Sequence, residues 1–165
     1  MILRRYQPAD LIAMQRIAIE GFAEVSIDRK MQQRFGILGE TDWTVRKAFS
    51  IEQDVRRDPD GAFVAVLGND LCGFITTWHD QQTGVGYIPN LAVASHQQGK
   101  GLGRSLIQKA LDHFDSLGLT VARIETLTNN AAGNHLYRGM GFEEIAQQIH
   151  FGLKIQNDGP PDCEP

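Results

Sequence analysis

Between His96 and Arg104 the chain reads HQQGKGLGR, with Gly99, Gly101 and Gly103 at every second position and Lys100 and Arg104 among them. An amphipathic helical pattern starts at this point. The first backbone N–H groups of a helix have no partner within the helix and carry partial positive charge. They bind phosphate well. Glycines let the backbone come close to an anion and supply positive φ where the loop needs it. Lys100 and Arg104 add mobile positive charge. The stretch reads as a cradle for a pyrophosphate. Two other phosphate cradles fail on the letters. A Walker motif needs Ser or Thr after its Gly-Lys, and Gly101 follows Lys100. A dinucleotide fingerprint counted from Gly99 and Gly101 needs a third glycine where Arg104 stands.

The strand ahead of the cradle, GVGYIPNLAV, carries Pro89 in its middle. Proline cannot donate to a strand ladder, so it marks an edge or a bulge. A bulge here would splay this strand from its neighbour and leave Leu91 to Val93 with free backbone groups. An extended ligand could then pair with them as a strand does.

The remaining elements must hold these two features in place. Ile2 to Tyr6 reads as a first strand, followed by a helix to Phe22 with Pro8 in its first turn. Residues 24–40 read as polar and irregular. Thr41 or Asp42 can cap a second helix that ends before Pro59. AFVAVL and LCGFITTWH flank GND, a hairpin signal. Leu102, Leu106, Ala110, Phe114 and Leu117 share one stripe of a helix that Gly118 is placed to end. VARIETL reads as a strand, Asn130 to Met140 as a short helix, and GFEEIAQQIHFGLKI as closing strand material. The expectation is an α+β fold over residues 1–155. It has a mixed, mostly antiparallel central sheet splayed at a bulged strand, with helices on both faces. Residues 156–165, QNDGPPDCEP, read as a disordered tail.

The net charge of −4 argues against a nucleic-acid module, which needs a basic face. Two cysteines, Cys72 and Cys163, make no disulfide framework and have no metal-ligand spacing. No apolar run has the length of a membrane span, and the N-terminus lacks a signal-peptide stretch. The expectation is a cytoplasmic protein without metal, nucleic acid or membrane partners, with a homodimer left open.

Gln98-x-x-Gly101-x-Gly103 resembles the coenzyme A signature of the GNAT superfamily of N-acetyltransferases. Asn130, Leu136, Tyr137, Gly141 and Phe142 fall in place on the second signature of that superfamily, with Gly133 where alanine is usual. The resemblance implies acetyl-CoA as cosubstrate. It implies that Leu91, Ala92 and Val93 hold the pantetheine arm through their backbone. Gln98, Gly99, Lys100, Gly101, Leu102, Gly103 and Arg104 would wrap the pyrophosphate, and Asn130 would touch the coenzyme from the next helix. Phe22, Glu24 and Trp43 fall where relatives bind the acceptor.

Acetyl transfer from a thioester to an amine needs a deprotonated amine, a donor for the tetrahedral oxyanion and a proton for the leaving thiolate. The Val93 N–H suits the oxyanion. Tyr137 is the expected acid, since the family's tyrosine points its hydroxyl at the coenzyme sulfur. Many relatives carry a basic carboxylate near positions 87 to 90, where this chain has Tyr87, Ile88, Pro89 and Asn90. Glu125 is the expected base, at a position that resembles the base of bacterial enzymes acetylating ribosomal-protein N-termini. His79, His135 and His150 are the alternatives. The expected reaction is direct attack of a primary amine, on a small molecule or a protein, within a ternary complex. A non-catalytic coenzyme A sensor of the same fold is the competing reading, and a nucleotide-binding protein is disfavoured by the two failed fingerprints.

Overall fold

The computed structural model describes residues 1–155, so the tail at 156–165 lies outside the described residues. In chain order the elements are β1 (Ile2–Arg5), α1 (Leu11–Phe22), α2 (Ile27–Phe35), α3 (Trp43–Arg57), β2 (Phe63–Leu67) and β3 (Asp70–Asp80). Then come β4 (Val85–Val93), α4 (Leu102–Ser116), β5 (Val121–Ile124) and α5 (Ala131–Arg138). The strands form one sheet in the order β1-β2-β3-β4-β5. The first three pairings are antiparallel, and β4 pairs with β5 in parallel.

Side-chain alternation along the strands divides the core into two layers. Val64, Phe74 and Ala92 face α1 and α3, where Met14, Ile17, Ala18, Ile51 and Val55 cover them. Phe63, Ala65, Ile75 and Ile88 face α4, against Leu106, Ile107, Ala110 and Phe114. The expected stripe of α4 is thus its buried face, and Gly118 at φ 71° follows its last turn. Asp42 caps α3 by accepting the Thr44 N–H at 2.9 Å. Asp10 takes a two-pronged ion pair from Arg4 at 2.6 and 2.8 Å, which ties β1 to the turn that launches α1.

The bulge at Pro89 is present. Register along β3 and β4 shifts between Thr76 and Trp78, so an extra residue sits on β4 at Ile88–Pro89. Its effect shows in the side chains. Ile88 packs toward α4, and so does Leu91 three residues later, while Ala92 faces α1 and α3. Pairing with β5 extends only as far as Ile88↔Ile124.

Three expectations need correction. Residues 24–40 contain a helix, α2, which Ser26 starts by accepting the Arg29 N–H. Its polar sequence concealed it, because it packs by its edge on α3 and buries no whole residue. The strand expected over VARIETL stops at Ile124. The closing strand expected over 141–155 does not form: these residues carry no regular secondary structure. Ile149, Phe151, Leu153 and Ile155 have a strand's alternation but stand 76–93% exposed. An alternating pattern makes a strand only when a neighbouring edge accepts its backbone groups.

Phe114 fills the space above Gly86, where an added Cβ would stand 2.7 Å from the ring. Leu106→Ala and Phe114→Ala should each destabilise the fold by about 2–5 kcal/mol, the range for large-to-small changes at buried positions. Denaturant titration of each variant checks this.

Candidate functional site

Beyond the bulge, β4 has β3 on one side and, among the described residues, no strand on the other. The Ala94 N–H donates to the Cys72 carbonyl at 2.8 Å, which sets the ladder's phase. Antiparallel pairs alternate in whether they exchange hydrogen bonds. Ala92, opposite Phe74, therefore gives its backbone groups to β3, while Leu91 and Val93 turn theirs into the splay. The expectation of free groups on all of Leu91, Ala92 and Val93 is corrected for Ala92 on this ground. The Val93 carbonyl accepts the Gln98 side chain at 3.1 Å, which folds the loop back toward the strand end.

That loop leads into α4. Gly99 and Gly101 have φ of 74° and 82°, values other residues rarely adopt. Gly103 lies in the first turn of α4, where an added Cβ would stand 3.0 Å from Leu136 Cδ2 on α5. The glycines thus turn the loop twice and let α5 approach α4. The N–H groups of Leu102, Gly103 and Arg104 lie in the first turn, with no acceptor one turn earlier. The two cations are tethered to the chain itself. Lys100 donates to the His96 carbonyl and Gln97, and Arg104 donates to the Gly139 carbonyl.

Tyr137 on α5 packs in the same apolar layer as Leu91, Val93 and Phe142. Burial pushes its hydroxyl pKa up to about 12. Asn130 caps α5, accepting the Gly133 N–H at 3.0 Å and donating to Thr126. An added Cβ at position 133 would stand 2.5 Å from the Asn130 amide nitrogen, so a side chain there would require the Asn130 cap to shift. Glu125 lies one residue past β5, exposed and ion-paired with Arg123 at 2.5 Å.

The acceptor-side residues are only partly gathered. Phe22 ends α1. The backbone carbonyl of Glu24 takes a hydrogen bond from Asn129, so the loop after α1 meets the loop after β5 across the splay. Trp43 starts α3 and donates its N–H to Gln32. His79 is held by Asp58 at 3.3 Å, beyond the bulge from Leu91 and Val93. His135 and His150 are exposed.

One cluster escaped the sequence reading. Lys47 lies over the Phe22 ring, 3.7 Å from its centroid, and donates to the Asn90 carbonyl oxygen. The Asn90 amide donates to Asp54 at 2.6 Å, and Thr76 donates to the same carboxylate oxygen at 2.7 Å. Asn90 is 6% exposed. Burial lowers the Lys47 pKa to about 8, against the pull of Asp54 and Asp28. Burial likewise raises that of Asp54. The available signal was spacing: Lys47, Ile51, Asp54 and Val55 form one face of α3, so two charged residues share its buried stripe.

A mixed sheet opened by a bulged strand, with a glycine-rich helix start beside the opening, defines an acetyltransferase fold. A family model for the GNAT acetyltransferase family matches residues 25–142, most of the chain, and the chain belongs to that family. It is 35% identical over 85 residues to a mycothiol acetyltransferase of Streptomyces avermitilis, covering 52% of this chain and 28% of that protein. A mycothiol acetyltransferase of Tsukamurella paurometabola is 34% identical over 103 residues, 57% of this chain and 35% of its own. The chain thus spans about a third of these relatives' length. Among solved structures, the PaiA N-acetyltransferase of Thermoplasma acidophilum, in complex with coenzyme A, superposes with TM-score 0.71 at 17% identity. The match covers 89% of this chain and 92% of that one. A ribosomal-protein alanine N-acetyltransferase of Escherichia coli superposes with TM-score 0.62 at 20% identity, over 88% and 79%.

Gly101→Glu should abolish coenzyme A binding, weakening it at least about 100-fold, or about 2.8 kcal/mol. Gly101→Ala carries the same backbone strain without the repelling charge and should retain measurable binding. Calorimetric titration of both folded variants with coenzyme A makes the comparison.

Proposed function

We propose that this protein transfers the acetyl group of acetyl-CoA to a primary amine by direct attack within a ternary complex. The observation that carries this reading is the splay after Pro89. The outward backbone groups of Leu91 and Val93 lie beside the helix start at Leu102–Arg104. In this reading the pantetheine arm lies along Leu91 and Val93, and the pyrophosphate sits on Gly99, Gly101 and the first turn of α4. The cradle's charge comes chiefly from the helix start, with Lys100 and Arg104 fixing the loop and the α5 end. Asn130 shapes the site by capping α5.

Tyr137 supplies the proton to the departing thiolate. Its raised pKa keeps the hydroxyl protonated across the working pH range, which an acid requires. In this reading the Val93 N–H, which faces the splay, stabilises the oxyanion. Glu125 stands at the rim with Arg123, where both are accessible to an incoming acceptor. The acceptor is a small-molecule or protein amine. The names of the matched relatives make a mycothiol-type small molecule one candidate for a broad panel.

Thiol release from acetyl-CoA, followed with and without members of an amine panel, tests the reading. Amine-dependent release supports it, and coenzyme binding without release would leave a sensor instead. Tyr137→Phe should keep coenzyme binding, because the ring's packing survives. Its turnover should fall about 10²-fold or more. The deficit should stay level from pH 7 to about 11, since the parent hydroxyl remains protonated below about 12. A pH–rate profile of the variant beside the parent reads this out.

A further inference from the structure

The sheet-facing stripe of α3 should be apolar, and at Ile51 and Val55 it is fully buried. Lys47 and Asp54 interrupt it. Burying charged groups is unfavourable unless they are paired and hydrogen-bonded. Here Asn90 bridges them, giving its carbonyl oxygen to Lys47 and its amide to Asp54, while Thr76 satisfies the carboxylate further. The bridge stands on β4, immediately before Leu91, at the mouth of the splay. It faces α1 and α3, opposite the side on which α4 carries the glycine loop. A donor seated from the α4 side leaves this face for the acceptor. The loop after α1, joined to Asn129, borders it. Lys47 is half-buried, with its amine on the polar bridge and over the ring of Phe22 at the end of α1.

We propose that Lys47 is the proton acceptor for the incoming amine, with Asn90 and Asp54 as its positioning residues. This rests on the acetyl-transfer reading above. The acceptor arrives as an ammonium. One of its N–H bonds breaks and the proton bonds to the free electron pair on Lys47 Nζ. The released lone pair forms the C–N bond to the acetyl carbon. The C–S bond breaks, and the thiolate takes the phenolic proton of Tyr137. The second proton lost by the acceptor nitrogen restores Tyr137, and Lys47 returns its own to solvent. One proton is released per acetyl transferred.

A lysine with its ordinary pKa would be protonated at neutral pH and could not act this way. Desolvation makes this amine available near pH 8. The charged groups acting on it are Asp54 from its own helix and Asp28 from α2, both favouring the ammonium. From α1 and β4 its contacts are the neutral Phe22 and Asn90. The β4 position before Leu91 is thus occupied by Asn90, and the proton acceptor is an amine delivered from α3.

The test is a pH profile of kcat/KM from pH 6 to 10 with an amine whose pKa is about 10, a lysine-type value. The parent, Lys47→Met, Lys47→Arg, Asp54→Asn and Glu125→Gln are compared, and coenzyme A binding confirms that each is folded. The parent should rise with pH and level off near 8. Lys47→Met and Lys47→Arg should lose about 10²-fold at pH 7 and rise instead toward the amine's own pKa. Their deficit therefore shrinks by pH 10. Asp54→Asn removes a charge that favours the Lys47 ammonium, so its inflection should move to lower pH with the plateau reached earlier. Glu125→Gln should retain the parent's inflection. A parent-like inflection in either Lys47 variant, or its loss in Glu125→Gln, overturns the assignment while leaving acetyl transfer standing. Failure of the parent to acetylate any amine of the panel overturns both.

Discussion

One extra residue at Ile88–Pro89 is the constraint on which the rest of the structure depends. A strand running in register beside β5 would spend its outward hydrogen bonds on that neighbour. The bulge rotates β4 instead, so Ile88 and Leu91 both point toward α4 and pairing with β5 stops at Ile124. Proline suits the position because it has no N–H to leave unpaired. The result is an opening inside a sheet, bounded by backbone groups that a ligand can use. The layers on either side hold it open: α4 with Phe114 wedged against Gly86, and α1 with α3 over Val64, Phe74 and Ala92.

The two faces of the opening differ in kind. On the α4 side the chemistry is that of the backbone, a helix start reached through two left-handed glycines. Lys100 and Arg104 are held by carbonyls of the same chain. Charge complementarity to an anion can therefore come from the fold itself, and the overall net charge of −4 is no obstacle to a local anion site. On the α1 and α3 side the chemistry is that of side chains, with Lys47, Asn90, Asp54 and Thr76 linked inside a layer that is otherwise apolar. Such a network is stable only when its members are satisfied together. That couples the helix α3 to the strand β4 at the point where β4 leaves its neighbour.

Membership of the GNAT acetyltransferase family fits this division, since the match runs through both the glycine loop and the α5 signature. The mycothiol acetyltransferases that match are about three times as long as the aligned region, so the likeness concerns one part of them. The solved structures under 25% identical share the fold, from an archaeal coenzyme A complex to a bacterial ribosomal-protein acetyltransferase.

The sequence alone determined the features that depend on near neighbours in the chain. Alternating glycines before an amphipathic stripe mark a loop and helix start. Pro89 inside a strand marks a bulge, and Asp42 and Gly118 mark helix ends, because each effect acts over a few residues of backbone. Several features depended on tertiary structure. The 141–155 segment alternates like a strand, yet a strand exists only where another edge pairs with it. Glu125 reads as a charge among apolar neighbours, and its exposure and its pairing with Arg123 emerge only once β5 ends at Ile124. Asn90 and Asp54 are 36 residues apart and meet because α3 lies across β4. Whether a charged group is solvated or desolvated is set by what packs over it, and for Lys47 that is Phe22 from another helix and Asn90 from the sheet.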